Sequence, residues 1–137
     1  GFEMIDAVPL EKLWGPCVTV DATFLKDGET LEKEHLLAWE KVHGEIRPGD
    51  GVLIDFGWMQ YWDVRPNDQR FCHDYPGVGA SAAAYLVEKG VRMVGVDTLS
   101  VDKDRAVQDP AHNTLLSHKI PDGSASPVRP VVLVDRT

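Results

Sequence analysis

One imidazole sits in a setting that suggests chemistry. Asp109-Pro110-Ala111-His112 follows a strand-like run, Val91-Arg92-Met93-Val94-Gly95-Val96, whose end carries Asp97, Ser100 and Asp102. Asp109 is a good N-cap and Pro110 suits the first helical position, so His112 falls in the first turn of a short helix. There the positive end of the helix dipole favours a neutral ring, the form that ligates a metal ion. A bond to a backbone carbonyl would explain the same histidine without chemistry, and one histidine is not a metal site. Asp97 stands at a strand's carboxyl end, where ligands of open α/β sheets bind, and could act as a catalytic or orienting carboxylate. Asp97 and Ser100 could equally cap backbone N–H groups and hold the loop in shape, and for Asp102 that structural role is preferred.

A second group is aromatic. Trp58, Tyr61 and Trp62 follow the apolar run Val52-Leu53-Ile54-Asp55-Phe56. Flat rings beyond a strand end can wall a pocket for a ring-bearing substrate, or pack in a core or a subunit interface. Cys72-His73-Asp74 invites a thiol mechanism, but adjacent loop residues point apart and catalytic Cys and His meet in space instead. That mechanism is rejected. His35 and His43 lie among charged residues and read as surface positions, while His118 is ambiguous.

The elements that must position these groups follow from turn chemistry and periodicity. Gly15-Pro16 breaks the chain before the strand Cys17-Val18-Thr19-Val20-Asp21, and Asp27-Gly28 marks a turn. Thr30 is the expected N-cap of a helix over 31–43, closed by Gly44, whose apolar stripe of Leu31, Ala38 and Val42 is ragged, with Leu36, Leu37 and Trp39 spread wider. Arg47-Pro48-Gly49-Asp50 turns into a strand buried on both faces, Val52–Phe56. Residues 63–75 form a polar loop without periodicity, and an alanine-rich helix over 80–89 closes on Gly90. Val128–Val134 is a final strand that Pro130 confines to an edge or a bulge. Strands and helices interleave, so the class is α/β, and 137 residues make one domain. A formal charge of −8 argues against nucleic acid and gives no attraction to an anionic membrane. No apolar stretch spans a bilayer and no signal peptide opens the sequence, and two cysteines outside any Cys-x-x-Cys spacing suit a reducing compartment. A cytoplasmic protein is the expectation.

These fragments together resemble one family. Val8-Pro9-Leu10-Glu11 with Gly15-Pro16, Arg47-Pro48-Gly49-Asp50 with Gly57-Trp58, Pro76-Gly77, Gly95-Val96-Asp97-Thr98 with Ser100 and Asp102, and Ser126-Pro127-Val128-Arg129 are similar, in order and spacing, to the cyclase family of metal-dependent hydrolases. That family includes bacterial kynurenine formamidases and isatin hydrolases. The resemblance implies a swivelling β/β/α domain, a mixed sheet with flanking helices, and a homodimer or larger assembly with its site near a subunit boundary. It implies one or two divalent ions, Zn or Mn, that activate water against the C–N amide bond of a small aryl formamide or cyclic amide. In that reading His112 is a metal ligand, Trp58 and Trp62 line the substrate, and Asp97 is a possible orienting group.

Two departures matter. The family signature His-x-Gly-Thr-His-x-Asp, with its ligands and general-base histidine, has no counterpart here. The Glu-Asn-Leu-like stretch expected after His112 is also replaced, with a join near His118–Lys119. The expectation is that 1–137 is an incomplete cyclase-like domain, inactive alone, and that segments of the protein are absent from it. The alternative is a natural deletion that leaves a catalytically inactive binding or structural protein. Intact mass spectrometry should accordingly return more than the 15.2 kDa of this sequence. A mass of 15.2 kDa would favour the deletion.

Overall fold

A computed structural model of the protein describes Pro9, residues 14–116 and the backbone of a strand at 131–133. Four strands form the main sheet: β1 (Cys17–Asp21), β3 (Gly51–Asp55), β5 (Met93–Val96) and β6 (Val131–Leu133), in the order β1-β3-β5-β6. A second pair joins β2 (Thr30–Leu31) to β4 (Gly77–Val78). Between the strands run α1 (Lys33–His43), a 3₁₀ turn (Trp58–Tyr61), α2 (Gln69–Cys72), α3 (Ala80–Glu88) and α4 (Pro110–Leu115). The α/β class is as expected from the interleaving. Every pairing among the described strands is parallel, so the mixed sheet has no antiparallel member there.

The register explains where the candidate residues emerge. Val52 sits between Val18 and Val94, and Ile54 sits between Val20 and Val96, all but Val18 fully buried. Apolar residues in succession suit central parallel strands, which are covered on both faces. Asp21 lies opposite Asp55, and Asp97 follows one step beyond the Ile54–Val96 pair. Three adjacent strands therefore end together, each delivering an aspartate. The last strand takes the sheet's edge beside β5. The expected residues 128–130 and 134 lie outside the described residues.

Three local expectations change. Thr30 belongs to β2, and Glu32 is the N-cap of α1. Pairing with Gly77–Val78 and burial of Leu31 hold Thr30 extended, and its hydroxyl instead donates to Glu32 Oε1 at 2.6 Å. On α1 only Leu36 is buried, while Ala38 and Val42 face outward. A polar anchor makes up for the thin apolar face. Glu40 accepts from the Tyr85 hydroxyl at 2.6 Å and the Ile46 N–H at 2.7 Å, and Lys89 Nζ stands 3.1 Å away. Burial, the largest single influence, raises the Glu40 pKa, yet these donors together hold it below its ordinary value. Lastly, the polar segment 63–75 contains α2, whose Phe71 enters the core.

Gly77 makes a contact that no other residue could. A Cβ there would lie 2.1 Å from the Lys103 nitrogen and 2.5 Å from the Asp102 carbonyl carbon. The segment carrying Asp102 thus crosses β4 at backbone contact, and the Val78 N–H donates to the Val101 carbonyl at 2.7 Å. Gly77→Ala should force that segment away and destabilise the fold by about 1–3 kcal/mol, as overpacking does, measured by urea unfolding. An unchanged midpoint would mean the crossing is not tight.

Candidate active site

The chain leaving β5 provides two buried carboxylates within six residues, and each organises a different loop. Asp97, 2% exposed, accepts the Phe56 N–H at 2.8 Å on one oxygen and the Trp58 N–H at 2.7 Å on the other. Gly57 between them is left-handed at φ 69°, and its own N–H donates to Asp55 Oδ1 at 2.9 Å. Both oxygens of Asp97 are therefore committed to the turn that follows β3, which is the orienting and capping role. Burial is the main influence on its carboxyl and raises the pKa; the two N–H donors pull it back, and neighbouring Asp55 adds to the rise.

The turn that Asp97 holds carries the aromatic group. Trp58 is buried, with its indole N–H donating to the Phe71 carbonyl at 2.9 Å and Tyr61 edge-on at 4.8 Å. The Arg70 guanidinium lies 4.6 Å over Trp58 and 4.4 Å over Tyr61, while one of its nitrogens pairs with Asp27 at 2.8 Å. Trp62 is different: it is 59% exposed and touches Phe71 edge-on at 5.0 Å. The two tryptophans named from sequence are thus separated, one inside and one at the surface, with Phe71 between them.

Asp102, also 2% exposed, organises the other loop. It accepts the Ala111 N–H at 2.7 Å and the His112 N–H at 3.0 Å, and His112 Nδ1 stands 2.6 Å from its Oδ2. Asp109, the cap expected from sequence, makes no side-chain cap bond and is itself left-handed at φ 43°. The carboxylate that starts α4 comes from ten residues before His112, too far for any local capping pattern to reveal. Ser100 takes part through its carbonyl, which accepts the Thr98 hydroxyl at 2.8 Å.

The other candidates make contacts of their own. Cys72 has its thiol near Asp68 at 3.9 Å, and His73 Nδ1 faces the Gln69 carbonyl at 2.8 Å, so the two do not form a pair. His35, expected at the surface, is half-buried and accepts the Glu32 N–H on Nδ1 at 2.9 Å. His43 is exposed and stacks on Trp39. His118 lies outside the described residues.

Hydrogen bonds thus tie Asp97 to the Trp58 turn and Asp102 to His112. With Nδ1 engaged, the 41%-exposed ring keeps Nε2 for a ligand, the arrangement in which histidine serves a metal ion. His112 fits one ligand position. Among the described residues, no three His, Cys, Asp or Glu side chains gather to complete such a centre.

Residues 2–103 match the sequence model of the cyclase family, described as "Putative cyclase". The chain belongs to the cyclase family. Among solved structures, this cyclase-family chain is similar to an isatin hydrolase bound to the product analogue thioisatinate, with 26% identity and a TM-score of 0.71 over 80% of this chain and 46% of that one. It is similar to isatin hydrolase A from Ralstonia solanacearum, with 26% identity and a TM-score of 0.70 over 81% of this chain and 46% of that one. A structure described as a potential metal-dependent hydrolase with cyclase activity gives 28% identity and a TM-score of 0.64 over 91% of this chain and 51% of that one. The chain therefore spans about half the length of the structures it matches. No curated protein sequence matches it. No helix among the described residues is long and apolar enough to cross a membrane.

Asp97→Asn tests the first carboxylate. An amide of the same shape turns an NH₂ toward one of the two backbone donors, which should cost about 1–3 kcal/mol. Folding raises the Asp97 pKa, so the folded state holds that proton more tightly than the unfolded state. Its contribution to stability is then largest in acid and declines as pH rises from the ordinary aspartate range through the raised value. The stability gap between wild type and Asp97→Asn should narrow over that window in urea unfolding. A gap that widens would contradict the raised value.

Proposed function

We propose that this cyclase-family protein hydrolyses the C–N amide bond of a small aryl formamide or cyclic amide, with His112 as one ligand of a divalent ion, Zn or Mn. The observation that carries the proposal is the His112 side chain, 41% exposed and held at Nδ1 by a buried carboxylate. The similar structures described as isatin hydrolases and as a potential metal-dependent hydrolase support the reaction class. One or two such ions would supply Lewis acidity toward the scissile carbonyl and toward water.

The chain's own residues divide the remaining work. Trp62 offers an exposed ring face to an aromatic substrate, and buried Trp58 backs it through Phe71, which both tryptophans touch. Asp97 fixes the turn that carries both. Further ligands and the general base come from groups other than the described ones, and a homodimer or larger assembly belongs to the same proposal.

The test is hydrolysis of N-formylkynurenine and of isatin by the purified full-length protein with added Mn or Zn. One of them should turn over, chelation should abolish the rate, and His112→Ala should cost at least the roughly 10–100-fold that loss of a supporting partner costs a metal site. Trp62→Ala should raise KM with little change in kcat, the signature of lost uniform binding. Turnover of neither substrate, with no metal dependence, would instead support a binding or structural protein on the cyclase fold.

A further inference from the structure

We propose that Asp102 is the positioning residue of His112, setting both which ring nitrogen is bare and where it points. As an ionised carboxylate Asp102 can only accept, so Oδ2, which takes the His112 N–H at 3.0 Å, is an acceptor toward the ring as well. His112 Nδ1, 2.6 Å from that oxygen, therefore carries the hydrogen, and the lone pair is left on Nε2. The second oxygen is anchored separately by the Ala111 N–H at 2.7 Å, so the carboxylate plane cannot swing without breaking the start of α4.

Asp102 can serve as a fixed point because the chain around it is fastened on several sides. Its 2% exposure leaves the side chain no solvent to turn into. On one side the Val101 carbonyl accepts from Val78, and the Asp102–Lys103 peptide rests on the bare face of Gly77. On the other, Lys103 Nζ donates to the Gly28 carbonyl at 2.9 Å, Asp104 Oδ2 accepts the Asp74 N–H at 2.8 Å, and the Asp104 N–H reaches the Tyr75 carbonyl at 3.1 Å. The approach to His112 is correspondingly constrained: Gln108 and Asp109 are both left-handed, at φ 65° and 43°, a costly conformation for residues other than glycine. Such backbone persists where surrounding contacts over-determine it. What is over-determined here is the ring's aim.

The proposal rests on His112 as the working imidazole of the preceding section, but its test needs no metal. Two-bond ¹⁵N–¹H correlation spectra of metal-free, chelator-treated protein, at a pH where the rings are neutral, report which His112 nitrogen is protonated. Wild type should show the Nδ1–H form, and Asp102→Ala, which leaves the ring no acceptor at Nδ1, should lose it. A wild-type ring in the Nε2–H form overturns the proposal, and so does Asp102→Ala that keeps Nδ1–H as the main form. If the variant fails to fold, the wild-type spectrum still decides. Zn(II) alone, titrated into both proteins, separates the two readings. Roughly 10–100-fold weaker binding to Asp102→Ala is expected, and equal binding overturns the positioning role. Failure of Zn(II) to bind either protein overturns the metal reading, and the tautomer then decides the positioning role alone.

Discussion

The structure depends on carboxylates that take up backbone N–H groups where parallel strands end. A parallel sheet satisfies its own ladder but leaves the chain beyond each strand to find other partners. β1, β3 and β5 end at the same level, each with a carboxylate at or just past its end that bonds nearby backbone: exposed Asp21 accepts the Thr23 N–H, half-buried Asp55 the Gly57 N–H, and buried Asp97 the N–H groups of Phe56 and Trp58. Asp102 repeats the device one loop further on, at the start of α4. Leaving a buried donor unpaired costs about 1–3 kcal/mol, so these few side chains decide which loop shapes are accessible. The loops they hold are the ones that carry Trp58, Trp62 and His112.

That economy also explains why the same residues invite two interpretations. A carboxylate at a strand's end can face a ligand or a backbone. Asp97 faces backbone with both oxygens, and its influence on any reaction passes through the turn it holds. Asp102 faces backbone and ring together, so the same oxygen that starts a helix also occupies one side of an imidazole. Structural capping and positioning of a reactive group are, at Asp102, a single interaction.

How much the sequence discloses follows from how local each interaction is. Apolar runs between turn signals locate β1, β3, β5 and α3 to within two or three residues, and in β3 and β5 burial of successive positions strengthens the mark. Thr30 is misassigned because its extended conformation depends on Gly77 and Val78, far along the chain. The face of α1 is misjudged because a polar network, Glu40 with Tyr85 and Lys89, replaces an apolar stripe. At the site, Pro110 announces the helix that carries His112, but nothing local names Asp102 as its cap. Trp58 and Trp62 look alike in sequence. Phe71, whose carbonyl takes the Trp58 indole N–H and whose ring meets Trp62, places one inside and one outside.

Membership of the cyclase family and similarity to about half the length of its solved members place the Asp102–His112 pair in a fold associated with hydrolases. The most direct measurement is anomalous diffraction at the metal edge from crystals of the protein grown with Mn or Zn. The expected result is an anomalous peak about 2.0–2.1 Å from His112 Nε2 for Zn, the usual imidazole bond length, with Nδ1 still against Asp102. A bound ion elsewhere, with His112 Nε2 touching only solvent, would contradict the assignment of His112 as a metal ligand.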